Sequence, residues 1–145
     1  VMETKFNFKS QICTSREQSK RLLSLGLKGE TADMKYLGTR EYYGGILTEG
    51  TSSLPIIIDT EDDDITEYDT PAWSLHRLIE MMPLDVVPEG GLDNCFTLIK
   101  NYPKGYSVEY DGFSYYHKEN IYDTIIDWIE HLIKEGYFNK EYLEE

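Results

Sequence analysis

A dense run of carboxylates between residues 59 and 69 is the first feature of this 145-residue chain that could carry chemistry. Seven of its eleven residues are Asp or Glu, and hard divalent cations prefer such oxygen ligands. Aligned with an EF-hand loop, the first, third and fifth ligand positions are occupied by Asp59, Glu61 and Asp63. The pattern then fails, because Asp64 stands where the sharp turn needs glycine and Thr70 stands where a bidentate glutamate is needed. We therefore expect a solvated loop with no metal ion.

The three histidines are the other groups that could perform acid–base chemistry near neutral pH. His76 precedes Glu80 by one helical turn, and Asp127 precedes His131 by the same spacing. Both pairs fall on the polar faces of predicted helices, so we interpret them as surface ion pairs. His117 is predicted to be a packed or hydrogen-bonded residue of a β-hairpin. The sequence has no nucleophile motif and no phosphate-binding motif, so it predicts no catalytic residue and no cofactor.

Aromatic residues are the third group of candidates, because the chain contains 12 tyrosines and such side chains favour recognition surfaces. By helical angle, Trp73 points away from Leu75 and Leu78, and it follows the acidic run closely. A partner-binding patch is therefore predicted. Its residues are Asp62, Asp63, Asp64, Tyr68 and Trp73. The alternative for Trp73 is that its indole packs on neighbouring loops.

Charge is distributed unevenly and narrows the choice of partner. Residues 41–99 hold thirteen Asp or Glu and one basic residue, Arg77, which is −12 of the net −13. Residues 1–40 carry +4 and residues 100–145 carry −5. Such a chain repels phosphate backbones and lacks a polybasic patch for anionic lipid. We therefore expect another protein as the partner, with no nucleic acid and no membrane; the oligomeric state stays open.

Three functions are compatible with these residues. The leading one is a non-enzymatic protein-interaction protein that binds through residues 59–73. The second is a DNA mimic that occupies a basic nucleic-acid-binding site, although one loop does not reproduce the spacing of phosphates along a duplex. The third is a divalent-metal-dependent hydrolase that uses Asp62 to Asp64.

Length and cysteine content favour one cytoplasmic domain. A chain of 145 residues can fold as a single domain without disulfides or metal. No run of about 20 apolar residues is present, and the first residues do not resemble a secretion signal. Cys13 and Cys95 occur in no metal or redox spacing and are predicted to be buried thiols, as suits a reducing cytoplasm.

Three helices are indicated by caps and apolar periodicity. The first should begin near Ser15, because Thr14 and Glu17 have capping-box spacing, as do Ser15 and Gln18, and it should end at Gly26. A further turn is possible over residues 30–34, with Thr31 as its cap. The second helix is predicted from a Thr70 cap and Pro71 to a stop at Pro83. Its apolar face would comprise Leu75, Leu78, Ile79 and Met82. The last helix is predicted over residues 119–135, with Trp128 at the edge of its buried face and Gly136 as its stop.

Strands are predicted in two blocks. Residues 35–58 are rich in β-branched and aromatic residues, and residues 95–102 supply a further strand. Asp111-Gly112 favours a two-residue hairpin turn within residues 106–117. That turn would place Tyr110 opposite Phe113, Val108 opposite Tyr115, and Tyr106 opposite His117. Because helices and strands occur in separate blocks, the predicted class is α+β, with three or four helices packed on an antiparallel sheet in one domain over residues 1–145.

Several segments also resemble a known group of proteins. The first are residues 14–20 (Thr-Ser-Arg-Glu-Gln-Ser-Lys), 25–27 (Leu-Gly-Leu) and 30–34 (Glu-Thr-Ala-Asp-Met). With residues 71–83 and 105–110, they are similar to small uncharacterised proteins of gut Bacteroides-type bacteria and their prophages. Residues 38–69 lie outside the resemblance. It implies a bacterial cytosolic origin and a mobile-element setting, and it supplies no catalytic or ligand-binding residue.

Overall fold

The chain is an assembly of helices and antiparallel strands. The computed structural model describes residues 10–38, 40–43, 46–49, 55–58, 69–83, 96–101, 103–110 and 115–145; residues 40–43, 46–49, 96, 110 and 115–117 are described by their backbone alone. Its α-helices in these ranges are α1 (Arg16–Ser24), α2 (Leu75–Glu80) and α3 (Ile121–Glu135). Its strands there are β1 (Met34–Tyr36), β2 (Arg40–Tyr43), β3 (Ile46–Glu49), β4 (Pro55–Ile57), β5 (Thr70–Ala72), β6 (Phe96–Lys100), β7 (Tyr106–Tyr110) and β8 (Tyr115–Lys118). The predicted α+β class is confirmed.

Every strand pairing in the described ranges is antiparallel. The strand orders are β4-β1-β5, β2-β3 and β6-β7-β8. The prediction that residues 35–58 are rich in strands is confirmed, and so is the strand within residues 95–102. The turn expected over residues 30–34 lies earlier: a 3₁₀ turn covers Gly29–Thr31, and Met34 already begins β1. Thr31 is therefore the last residue of this turn and not its cap.

Helix α1 begins where its capping residues predict. The Ser15 side chain accepts a hydrogen bond from the Gln18 backbone N–H, and the Gln18 side chain accepts one from the Ser15 N–H. This reciprocal pair satisfies two backbone donors that the first turn would otherwise leave unbonded. Gly26 follows the helix with a φ of +106°, a left-handed conformation that favours glycine.

Replacing Ser15 with alanine should lower the free energy of unfolding by about 1 kcal/mol, because the Gln18 N–H loses its acceptor. Urea denaturation of the purified variant measures this loss. Lys20→Ala is the matched control, since Lys20 is an exposed residue of the same helix. An equal stability for Ser15→Ala and Lys20→Ala would contradict the capping role.

Helix α3 supplies the largest share of the core. Asn120 caps it by accepting from the N–H groups of Tyr122 and Asp123, and Gly136 ends it at a φ of +79°. Seven of its side chains are buried, and they are Tyr122, Thr124, Ile125, Ile126, Trp128, Ile129 and Leu132. The prediction that Trp128 lies at the edge of this face is wrong, because its side chain is fully buried. The core that it joins includes Leu22, Trp73, Leu78 and Val108.

The start of the second predicted helix is wrong. Thr70 and Pro71 belong to β5, and α2 begins only at Leu75, where the Ser74 side chain accepts from the Arg77 N–H. Proline disfavours helical backbone at the residue before it, which moves Thr70 towards the extended region. Strand β5 then pairs with β1, which lies far away in sequence. The end of the helix before Pro83 is confirmed.

The hairpin of β7 and β8 has a different register from the predicted one. Val108 pairs with Tyr116 and Tyr106 pairs with Lys118, so each β8 partner is displaced by one residue. Between the paired residues Glu109 and Tyr115 lie five residues, an odd number, whereas a two-residue turn needs an even number. A one-residue change of register exchanges the two faces of a strand, so Val108 does not pair with Tyr115 and Tyr106 does not pair with His117. The Asp111-Gly112 turn itself lies outside the described residues.

Sheet β4-β1-β5 accommodates two prolines through its hydrogen-bond alternation. The Ile58 N–H donates to the Asp33 carbonyl at 3.0 Å, and Lys35 lies opposite both Ile56 and Pro71. Because antiparallel pairs alternate, the Lys35 N–H and C=O point towards β4 and not towards β5. No hydrogen bond from β1 is directed at Pro71, so the N–H that proline lacks is not needed for the pairing of β5 with β1. Proline is thus compatible with this strand even though helix signals surround it.

Candidate functional site

The structure describes one of the predicted partner-binding residues, Trp73, and does not describe the others. Asp62, Asp63, Asp64 and Tyr68 lie outside the described residues, as do the EF-hand positions at residues 59–64. Trp73 is described, and its side chain is 0% exposed. The exposed orientation deduced from a helical angle does not apply, because the helix starts after Trp73. Packing of the indole against neighbouring segments, the alternative, is what the structure has.

Trp73 is held by polar contacts as well as by packing. Its indole Nε1–H donates to the Thr31 Oγ1 at 2.9 Å, and its backbone N–H donates to the Thr14 Oγ1 at 3.0 Å. The Thr14 N–H returns a bond of 2.8 Å to the Trp73 carbonyl. The neighbouring Ser74 donates from its N–H and its hydroxyl to the Asp33 carboxylate. These bonds fix the chain that immediately follows the acidic run.

The last residue of the acidic run is buried, contrary to the expectation of a solvated loop. Asp69 and Lys35 have side chains that are each 4% exposed, and the Lys35 Nζ lies 3.6 Å from an Asp69 carboxylate oxygen. The Gly38 N–H donates to the other Asp69 oxygen at 3.0 Å. Burying a charge is costly unless an opposite charge and hydrogen bonds compensate it, and here both are present. Sequence reasoning missed this pair, because Lys35 stood inside a strand that was not predicted to be buried on both faces.

The residues on either side of the acidic run are attached to one strand. Ile57 pairs with Met34 and Thr70 pairs with Tyr36, so β4 and β5 flank β1. A guanidinium N–H of Arg16 also donates to the Thr70 Oγ1 at 3.1 Å. Thr70 is the twelfth position of the EF-hand alignment, and its hydroxyl contacts arginine. Residues 59–68, hereafter the acidic segment, therefore connect two strands that are both paired with β1.

A small polar cluster lies behind this attachment. Arg16 lies over the Tyr36 ring, 4.8 Å from its centroid, and the Tyr36 hydroxyl donates to the Thr14 carbonyl at 2.9 Å. Burial and the neighbouring Cys13 thiol raise the pKa of Tyr36 to about 12. Burial likewise raises the pKa of Cys13 above its ordinary value, so the thiol stays protonated at neutral pH. The prediction of a buried Cys13 is confirmed; Cys95 lies outside the described residues.

The two described histidines differ in their surroundings. His76 lies 3.2 Å from Glu80, and the His76 side chain is 85% exposed, so the predicted surface pair is confirmed. His131 stacks on Trp128 with ring centroids 5.2 Å apart. Its predicted partner Asp127 accepts from Arg21 at 2.6 Å. The structure describes His117 by its backbone alone.

A polar groove of about 460 Å³ lies beside the start of α3, between Tyr106, Ile121 and Tyr122. The side-chain amides around the groove form hydrogen bonds with one another and with the Asp123 carboxylate. The contacts run from Gln11 to Gln18, from Gln18 to Asn120 and Asp123, and from Asn120 back to Gln11. They join α1 to α3, so we assign these amides a structural role.

The described residues contain neither a metal-ligand cluster nor a membrane span. Across residues 10–38 and the other described ranges, no three His, Cys, Asp or Glu side chains could hold a metal ion together. None of the described helices combines the length and apolar character needed to cross a bilayer. No family model, curated protein or solved structure matches the chain.

Proposed function

We propose that this protein is a non-enzymatic interaction protein of the bacterial cytosol, and that its acidic segment binds a basic surface of another protein. The observation that carries the proposal is the concentration of charge: residues 41–99 hold thirteen acidic residues against one basic residue. A field of one sign steers an oppositely charged partner and raises its association rate.

The attachment of the acidic segment supports this function. Strands β4 and β5 hold its two ends on either side of β1, and Asp69 is bound by Lys35 and Gly38. Fixed ends reduce the conformational entropy that a binding segment loses when it meets its partner. We assign the contacts with the partner to Asp62, Asp63, Asp64 and Tyr68. Trp73 would act indirectly, by holding the chain after the segment.

The test is affinity capture from a lysate of the native host, with the wild type compared with Asp62→Asn/Asp63→Asn/Asp64→Asn. We expect the triple variant to retain about one tenth of the captured partner, since each ion pair lost at a protein surface costs roughly 0.2–1 kcal/mol. The matched control is Glu135→Gln/Glu141→Gln/Glu145→Gln, which changes the net charge equally at exposed positions. Equal capture by both variants would show that overall charge, and not the acidic segment, attracts the partner.

The DNA-mimic function is the second candidate, and the net −12 of residues 41–99 is the observation that favours it. A mimic would compete with duplex DNA for a DNA-binding protein, and its affinity would fall steeply with salt. Competition by an unrelated duplex for the captured partner distinguishes the two. Retention of the partner at saturating DNA favours the ordinary interaction protein.

A further inference from the structure

Strand β4 lies at the edge of its sheet and carries exposed apolar side chains. Among the strands that the structure describes, β4 pairs with β1 alone, and it lies at the border of its sheet. Ile57 is 68% exposed and Ile56 is 37% exposed. Native proteins usually protect such edges with charge, proline or a covering segment, because an open edge accepts further strands.

The register shows which backbone groups of β4 face outward. Ile58 and Asp33 form a hydrogen-bonded pair, as do Ile56 and Lys35 by alternation. The N–H and C=O of Ile57 therefore point away from β1. The Pro55 carbonyl points the same way, and its ring offers no N–H. The outer edge thus presents one donor and two acceptors, and Pro55 restricts how far a second strand can pair.

We propose that β4 receives an extended segment of a basic partner protein as an additional strand. This inference rests on the proposed function for the charge of the partner, and it adds the mode of recognition. Backbone bonds to Ile57 and Pro55 would supply the alignment, and the Ile57 side chain would supply apolar contact. The chain carries a net charge of −13, which favours positively charged side chains on the incoming strand. A second copy of this chain is disfavoured as the occupant, because each copy carries a net −13.

The probe is a fluorescent peptide in which Lys and Val alternate over seven residues. Its control is the same peptide with an N-methyl group on every residue, which keeps the charge and blocks both hydrogen-bonding edges. We expect N-methylation to weaken binding to the wild-type protein at least tenfold by fluorescence anisotropy. On binding the unmodified peptide, hydrogen exchange at the Ile57 amide should slow more than at Ile56 and Ile58, whose amides already bond to β1.

Two variants test the protein side of the same contact. Ile57→Pro removes the outward N–H without removing a bond to β1, and it should weaken binding about tenfold. Ile57→Thr keeps that N–H and should weaken binding less than threefold. Because the peptide comparison uses the wild type, it decides the question even if Ile57→Pro unfolds.

The outcomes separate this inference from the proposed function. Equal binding of both peptides, or an unchanged exchange rate at Ile57, would overturn the edge site and leave the acidic segment as a charge-based surface. Failure of both peptides to bind would also overturn the edge site. The affinity capture from a lysate would then still test whether the acidic segment binds a partner. Concentration-dependent dimerisation that Ile57→Pro abolishes would identify a second copy as the occupant and overturn the basic partner.

Discussion

Asp69→Asn is expected to lower the free energy of unfolding by about 3 kcal/mol, the lower end of the loss measured when one partner of a buried ion pair is removed. Asparagine keeps an oxygen that can accept from the Gly38 N–H, so the packing and this hydrogen bond change little. The negative charge is lost, and the Lys35 ammonium then remains buried without its carboxylate partner. Urea denaturation followed by circular dichroism measures the change.

A second variant distinguishes the buried charge from the removed contact. Lys35→Met/Asp69→Asn removes both charges and keeps an oxygen that accepts from the Gly38 N–H, so it should recover most of the lost stability, because no buried charge then needs compensation. Glu141→Gln is an exposed charge control and should stay within about 0.5 kcal/mol of the wild type. A similarly small loss for Asp69→Asn would mean that other groups compensate the charge of the Lys35 ammonium.

Trp73→Ala is expected to lower the free energy of unfolding by about 3–5 kcal/mol, since it removes a fully buried indole from the core. The total stability of a domain is typically about 5–15 kcal/mol, so this variant should be marginally folded at 37 °C. Trp73→Phe retains part of the ring volume and loses the bond to Thr31, for an expected loss of roughly 2 kcal/mol. Thermal and urea unfolding compare the two variants.

This result also decides the role of Trp73 in binding. If Trp73→Ala keeps wild-type stability while partner capture falls, the indole lies at the surface and contacts the partner, as the proposed partner-binding patch requires. If stability falls and Trp73→Phe still captures the partner, the ring acts only through the fold. Capture experiments with Trp73→Ala alone would confuse these two causes.

Local signals in the sequence predicted the start of α1 and the end of α3. The Ser15 capping box begins α1, and Gly136 ends α3 in the left-handed conformation. In both cases the residues that determine the boundary lie within one turn of it, so the sequence nearby contains the needed information. The α+β class followed in the same way from separate blocks of helical and strand periodicity.

Distant partners decided what the sequence did not predict. Thr70 and Pro71 carry the residue types of a helix start, yet they form a strand because β1 pairs with them across more than 30 residues. Because the predicted start of the helix was wrong, the orientation of Trp73 that was deduced from it was wrong as well. The pairing of Lys35 with Asp69 has the same cause, because it depends on two strands meeting. Residue types alone do not specify which strands become neighbours.

The placement of β4 and β5 on opposite sides of β1 affects how this chain can change in evolution. Both strands run antiparallel to β1, so the two ends of the acidic segment lie on opposite sides and at opposite ends of β1, about 10 Å apart across the sheet at a strand spacing of about 4.8 Å. Doubling the length of a flexible loop between fixed ends adds only about 0.6 kcal/mol of closure entropy. Insertions, deletions and new charge patterns can therefore accumulate between these ends at small thermodynamic cost, and specificity for a different partner could arise without redesign of the core.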